Sequence, residues 1–186
     1  MQLKDTLDPL LALLQDTKTA EELLAQTPTQ FFRRAYIRSS FAYIEGTVWI
    51  LKRTCLGAAA GIGHGVFSPA EYALLSDESY ELSNSGAPMA QTKYLRLADN
   101  VKFTNKMLTK FFGSNLQVEY SKKSWNNFRT AVDFRNRITH PKSVQDYTVS
   151  DTELEVCREA THWFNAIVDK QVSAIQSAAR NAAATA

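Results

Sequence analysis

Arg135, Asn136 and His140, in the stretch Arg135-Asn-Arg-Ile-Thr-His140-Pro141, are the residues whose types and spacing suit catalysis. Histidine transfers protons near neutral pH, and arginine offers a forked donor for phosphate oxygens. RNA suits this set because its own 2′-hydroxyl attacks the adjacent phosphate, so the protein supplies proton transfer and stabilises developing charge. We assign His140 the acid–base role, Arg135 the phosphate-stabilising role, and Asn136 the orientation of the imidazole or the scissile phosphate.

The sequence contains no acidic pair and no His/Cys cluster at metal-ligand spacing. This argues against a metal-dependent nuclease and against structural zinc, so we predict neither a metal nor another cofactor. One motif supplies one histidine, whereas cleavage is best served by a proton acceptor and a proton donor. A homodimer with a two-fold axis would provide both.

A long amphipathic helix carries the three residues. Apolar residues spaced at about 100° per residue fill half of its helical wheel. They are Trp125, Phe128, Ala131, Val132, Phe134 and Ile138. Arg135 falls near the middle of this apolar half, and the opposite side carries Arg129, Asp133 and Arg137. Because an unpaired buried guanidinium is costly, we expect Arg135 to meet an anion, a carboxylate or a subunit interface.

Pro141 determines where this helix ends. It disfavours the helical conformation for His140, so we expect the last helical residue to be Ile138 or Thr139. The imidazole then lies at a helix-to-loop junction, on the same face as Asn136. The negative end of the helix dipole repels a phosphate there and favours protonated His140, and two facing arginines would offset that repulsion.

The arrangement Arg135-Asn136-x-x-x-His140-Pro141, at the end of a long helix in an all-helical chain, resembles the R-x4-6-H motif of the HEPN superfamily. The resemblance implies a helical bundle and a metal-independent endoribonuclease that works as a dimer with two facing motifs. Attack by the 2′-hydroxyl would leave 2′,3′-cyclic phosphate and 5′-hydroxyl ends. Family members of this size often act as toxins of toxin–antitoxin pairs or as phage-defence effectors, which makes an antitoxin or regulatory protein a candidate partner. Other members only bind RNA or nucleotides.

A structural role is the alternative for the same residues. Histidine can bond the last carbonyl groups of the helix, and Arg135 can bind a carboxylate on a neighbouring helix. The protein would then be a non-catalytic RNA-binding, nucleotide-binding or dimerisation module.

Other charged residues are secondary candidates. Arg137, Lys142 and Arg53 are candidates for binding substrate. His64 is either a second acid–base group or a solvated loop residue, and His162 is more typical of a structural or exposed side chain.

A basic face marks the second long helix, with Arg33, Arg34, Arg38, Lys52 and Arg53. Two interpretations stay open for it, a solvated face and an RNA-facing surface. Glu45 shares a face of the same helix with Trp49 and Arg53, and it is a candidate for supporting a site.

Composition describes an ordinary globular protein of 186 residues, with 45% hydrophobic residues and a formal net charge of +2. This charge alone does not imply nucleic-acid binding. Cys55 and Cys157 fall within helical patterns, and we interpret them as buried thiols. Neither a signal peptide nor an apolar run of about 18 residues is apparent, so we expect a cytoplasmic protein without membrane contact.

The predicted fold is all-α, a single-domain bundle of four to five long helices with short accessory helices over residues 1–186. Residues 1–27 are predicted to form short helices, and residues 178–186 a frayed tail. The glycine-rich segment 57–65 is predicted to break the second long helix, since glycine disfavours helix and no phosphate-loop Gly-Lys-Ser/Thr follows.

Further along the chain we predict a surface loop over residues 77–88 and a helix over 92–112 that ends at Gly113. Residues 116–120 are a possible isolated strand. Ser68 and Ser150 are predicted to cap helices, the second through a capping box with Glu153.

Overall fold

The computed structural model describes residues 3–62, 65–113 and 118–184. Within them the chain forms six α-helices, one 3-10 turn and one two-stranded sheet, so the fold is predominantly α-helical, as predicted. The helices are α1 (Leu3–Gln26), α2 (Gln30–Ile62), α3 (Pro69–Leu75), α4 (Leu97–Phe112), α5 (Lys123–Thr139) and α6 (Asp151–Ala184). The strands are β1 (Glu78–Leu82) and β2 (Pro88–Thr92), and the 3-10 turn is Gln145–Tyr147. Across the described ranges, no helix is long and apolar enough to cross a membrane.

The chain divides into two compact units. Unit 1 comprises residues 1–47 and 117–170, and unit 2 comprises residues 48–116 and 171–186. The predicted motif helix α5 belongs to unit 1, whereas the hairpin and α4 belong to unit 2. Both α2 and α6 contribute residues to each unit.

The N-terminal segment differs from its prediction. Instead of short helices over residues 1–27, a single helix α1 runs from Leu3 to Gln26 and contains Pro9. Thr17, Ala20 and Leu24 are buried along it. Burial of this face stabilises one continuous helix, because most of the stability of a helix in a protein comes from packing its apolar face.

The predicted apolar stripe of α2 is confirmed. Its members Ile37, Phe41, Ile44, Val48, Leu51 and Cys55 are all buried. The segment 57–65 is predicted to break this helix, and α2 does end within it, but at Ile62 rather than at the first glycine of the segment. Ala59 is buried on the same helix, and packing of this kind outweighs the weak intrinsic preference of glycine against helix.

Gly57 offers a stability test. Its added Cβ would meet nothing within 4 Å, so Gly57→Ala keeps every contact and improves helix propensity. We expect the free energy of unfolding to rise by about 0.5–1 kcal/mol, measured by urea denaturation. Gly113→Ala is the matched control, because Gly113 has a φ of +64° and alanine there should destabilise by about 1–2 kcal/mol. Loss of stability in Gly57→Ala would contradict the continuous helix.

Unit 2 contains a hairpin where a surface loop was predicted over residues 77–88. Strands β1 and β2 pair in antiparallel register, with Tyr80 opposite Ala90. Because Thr92 ends β2, α4 begins at Leu97 rather than Thr92. Its predicted stop is confirmed, since Gly113 caps α4 in the left-handed conformation.

Helix caps follow the sequence closely. Ser68 and Glu71 form a complete capping box at the start of α3. Ser150 and Glu153 do the same for α6, with the Ser150 N–H donating to Glu153 (2.8 Å) and the Glu153 N–H donating to the Ser150 hydroxyl (3.2 Å).

Helix α6 continues through the segment that was expected to fray from Ala178, as far as Ala184. The possible strand fails in its described part, since Val118 and Glu119 have no regular structure and Tyr120 lies in a turn; Leu116 and Gln117 lie outside the described residues.

An aromatic cluster in unit 1 fixes the position of α5. Phe128 is fully buried, and its ring lies 5.4 Å from Trp125, 5.2 Å from Trp163 and 6.3 Å from Phe41, between centroids. These contacts bring α5 against both α6 and α2. Aromatic pairs at such separations add to the stabilisation from burial. The C-terminal end of α5 is thereby held beside the N-terminal half of α2.

Candidate functional site

His140 lies where the sequence predicts. Helix α5 ends at Thr139, and His140 is its C-terminal cap residue, with φ −125° and ψ 59°. Its backbone N–H donates to the carbonyl oxygen of Asn136 (2.9 Å). The imidazole is exposed, and among the described residues no side chain or backbone group forms a hydrogen bond with it. No partner within the described chain therefore holds the imidazole.

Arg135 is paired with a carboxylate. Its guanidinium forms an ion pair with Glu45 of α2, and Nη1 donates to the side-chain oxygen of Asn136 (3.1 Å). The Arg135 side chain is 25% exposed and that of Glu45 is 42% exposed. Of the three partners expected for an arginine on an apolar face, the structure supplies the carboxylate. A guanidinium has more N–H donors than these two bonds use, so part of it stays available to an anion.

Asn136 connects Arg135 with the His140 end of the helix. Its side-chain oxygen is bound to Arg135, and its backbone oxygen accepts from His140. Asn136 and His140 are both exposed, one helical turn apart. The structure therefore brings the three predicted catalytic residues, together with Glu45, to one exposed end of α5.

Arg137 is committed to structural contacts. It donates to the Thr148 carbonyl oxygen (3.0 Å), pairs with Glu153 (3.0 Å), and lies over the Phe134 ring (5.7 Å to the centroid). Burial alone would raise the pKa of Glu153, but the N–H of Ser150 and the Arg137 guanidinium outweigh it, so that pKa lies below its usual value. Arg137 thus links the end of α5 to the start of α6.

The other candidates are less constrained. Lys142 is exposed, and its backbone N–H and that of Ser143 donate to the carboxylate of Asp146 (2.8 and 2.9 Å). The Lys142 N–H is the main reason that the pKa of the Asp146 carboxyl is lowered. Arg53 is exposed and belongs to unit 2. His162 is exposed on α6, and His64 lies outside the described residues.

The basic face of α2 binds the backbone that follows the motif. Arg33 donates to the Val149 carbonyl oxygen (3.0 Å), Arg34 to that of Tyr147 (2.8 Å), and Arg38 to that of Ile138 (2.6 Å). Gln30 exchanges two hydrogen bonds with the Val149 backbone (3.0 and 2.8 Å). Each of these three arginines therefore satisfies a backbone carbonyl group, a role that neither interpretation of this face had included.

The contacts of Glu45 and Arg38 are the features that sequence reasoning missed. Arg135 meets Glu45 across 90 residues, and Arg38 meets Ile138 across 100. The sequence marked Glu45 as a candidate for supporting a site and Arg38 as part of a basic face, but it identified the partner of neither residue.

Within the described ranges, no group of three or more His, Cys, Asp or Glu side chains is placed to hold a metal ion. Comparison of the chain with protein-family models, with curated proteins and with solved structures finds no match.

Proposed function

We propose that this protein is a metal-independent endoribonuclease of the HEPN type, acting in the cytoplasm as a toxin or a phage-defence effector. The observation that carries the proposal is the exposed His140 imidazole at the end of α5, one turn from Asn136, whose side chain is bound to Arg135. A proton carrier and a phosphate-binding cation therefore share one surface. Both are required to cleave RNA by attack of its 2′-hydroxyl.

The proposed reaction is a transesterification. The 2′-oxygen forms a bond to the adjacent phosphorus, and the bond from phosphorus to the 5′-oxygen breaks. A base accepts the 2′-hydroxyl proton, and an acid protonates the departing 5′-oxygen. The products are a 2′,3′-cyclic phosphate and a 5′-hydroxyl. The His140 of one protomer performs one of the two proton transfers. A homodimer that brings two motifs together supplies a second His140 for the other transfer.

Arg135 would stabilise the negative charge that develops on the phosphate oxygens. Its ion pair with Glu45 holds the guanidinium in one orientation, which lowers the entropic cost of binding a phosphate. The same pair imposes a cost, because a phosphate must share the guanidinium with a carboxylate. Asn136, already bound to Arg135, would orient the scissile phosphate rather than the imidazole.

A non-catalytic binding or dimerisation module is the second candidate function. The Arg135–Glu45 ion pair favours it, because this is the carboxylate contact that a purely structural arginine would make. RNA or a nucleotide would then bind at the same end of α5 without being cut. An antitoxin or other regulatory protein is a partner only under the first proposal.

Cleavage assays with purified protein separate the two functions. We expect single-stranded RNA to be cut in the presence of EDTA, leaving 2′,3′-cyclic phosphate and 5′-hydroxyl ends. The same sequence as DNA should be inert, because it lacks the attacking hydroxyl. End chemistry is read by treatment with phosphatase and polynucleotide kinase before electrophoresis.

Three results would count against the proposal. Cleavage that EDTA abolishes and Mg²⁺ or Mn²⁺ restores would overturn the metal-independent reaction. Cleavage by a protein that sedimentation shows to be monomeric at the assay concentration would overturn the two-motif site. RNA binding without cleavage under any metal condition would favour the binding module.

A further inference from the structure

Arg38 differs from the other arginines on the basic face of α2. Arg33 is paired with Asp151 (2.5 Å) and its side chain is only 17% exposed, while Arg34 lies over the Tyr147 ring (5.3 Å to the centroid). Arg38 is exposed, and its one hydrogen bond among the described residues is the one to Ile138. No carboxylate of the described chain lies within ion-pair distance of it. Its positive charge is therefore uncompensated.

The position of Arg38 addresses an electrostatic difficulty of the proposed site. The carbonyl oxygens at the end of α5 carry the partial negative charge of the helix dipole, which repels an approaching phosphate. Arg38 donates to the carbonyl oxygen of Ile138, two residues before His140. It thus places a full positive charge against that negative pole, from the same chain.

Arg135 cannot supply this compensation by itself. Its charge is already balanced by Glu45, whereas Arg38 adds charge that no carboxylate neutralises. The net charge carried by Arg38, Arg135 and Glu45 at this end of α5 is positive only because Arg38 is present. An anion that reaches His140 therefore meets the field of Arg38.

We propose that Arg38 is a phosphate-binding residue of the His140 site and contacts the RNA backbone next to the scissile phosphate. This inference rests on the proposed function for its substrate, but it concerns binding rather than proton transfer. Arg38 uses one N–H for Ile138 and directs its remaining donors to the phosphate.

The test uses three variants at this position and one matched control. Arg38→Ala removes the charge and the hydrogen bond, Arg38→Gln removes the charge but keeps an N–H donor for Ile138, and Arg38→Lys keeps the charge. Arg129→Ala removes the same charge from an exposed position of α5. Affinity is measured by anisotropy at several salt concentrations with a fluorescently labelled single strand of 2′-O-methyl RNA, which lacks the attacking hydroxyl and stays intact. Cleavage of unmodified RNA is measured in parallel.

We expect Arg38→Ala and Arg38→Gln to bind about ten-fold more weakly at low salt. The slope of log Kd against log salt should fall by about 0.7, the value for one phosphate contact with a single strand. Arg38→Lys should bind RNA nearly as tightly as the native protein does, and the affinity of Arg129→Ala should be unchanged. The cleavage rate should follow the fraction of protein that is bound to RNA. Arg38→Ala and Arg38→Gln should therefore show a raised KM and little change in kcat.

The outcomes separate this inference from the proposed function. If Arg38→Gln binds RNA with the native affinity and salt slope, Arg38 only bonds Ile138 and the inference is wrong, whether or not the protein cuts RNA. If the native protein binds but does not cut, while Arg38→Gln still loses affinity and slope, the inference stands and the nuclease proposal fails. A native protein that binds no RNA overturns both.

Discussion

His140→Ala is expected to lower the rate of RNA cleavage by at least ~10²-fold, the contribution typical of a general acid or base. RNA affinity should stay within a few-fold, because the proposals above assign the phosphate contacts to Arg135 and Arg38. The melting temperature should be unchanged, since the imidazole is exposed and, within the described chain, forms no hydrogen bond. Cleavage is measured under single-turnover conditions, which separate chemistry from binding.

His162→Ala is the matched control for this prediction. His162 is also exposed, but it lies on α6 rather than at the end of α5. Its loss should leave cleavage unchanged. If both variants cut RNA at the native rate, His140 takes no part in the chemistry. A fall in melting temperature for His140→Ala, with no change in cleavage or RNA binding, would assign the residue to capping the helix.

Asp77→Ala is expected to destabilise the protein by about 3–5 kcal/mol, because it leaves the buried Lys52 ammonium without its partner. The Lys52 side chain is 1% exposed and that of Asp77 is 14% exposed. The Asp77 carboxylate binds Lys52, and its carbonyl oxygen accepts from the Lys93 N–H (2.8 Å) next to the hairpin. The free energy of unfolding is measured by urea denaturation, and a change of this size would shift the midpoint well beyond experimental scatter.

The backbone of Asp77 requires its own control, because its φ is +56° and alanine disfavours that region. Asp77→Asn removes the charge while keeping a side chain that tolerates this conformation. Asp77→Asn should still show most of the loss in free energy of unfolding that is expected for Asp77→Ala. The double variant Lys52→Met/Asp77→Asn removes both charges and should recover much of the loss, since an apolar side chain of similar size is acceptable in a buried site.

Two results would contradict this assignment. If Asp77→Asn unfolds at the same urea concentration as the native protein, Lys52 does not depend on the carboxylate. If Lys52→Met/Asp77→Asn and Asp77→Asn are equally destabilised, the loss of stability comes from the local conformation at position 77 rather than from the unpaired ammonium.

The sequence by itself determined the features that depend on neighbouring residues. Pro141 restricts the backbone of His140, so the end of α5 and the position of His140 at a helix-to-loop junction followed from adjacent residues. The serine caps of α3 and α6 and the glycine cap of α4 are short-range contacts of the same kind. The apolar stripe of α2 was predictable as well, because the spacing of apolar residues in the sequence determines which face of a helix they share.

Local signals failed where packing opposes them. The glycines after Cys55 weaken a helix only slightly, and the buried Ala59 keeps α2 continuous to Ile62. The polar segment after Asp77 has little hydrophobic alternation, so the sequence pattern did not predict that it pairs with β2. In both cases the intrinsic preference of a residue is about 1 kcal/mol or less, and tertiary contacts exceed it.

Only the tertiary structure decided which groups surround the motif. Arg135 needed a partner, but the sequence could not choose among the carboxylates of the chain, and Glu45 becomes that partner because Phe128 packs α5 against α2 near Phe41. The same packing brings Arg38 to the carbonyl oxygen of Ile138. A long, flexible guanidinium has no preferred partner in the unfolded chain, and it acquires one only when helices distant in sequence lie side by side.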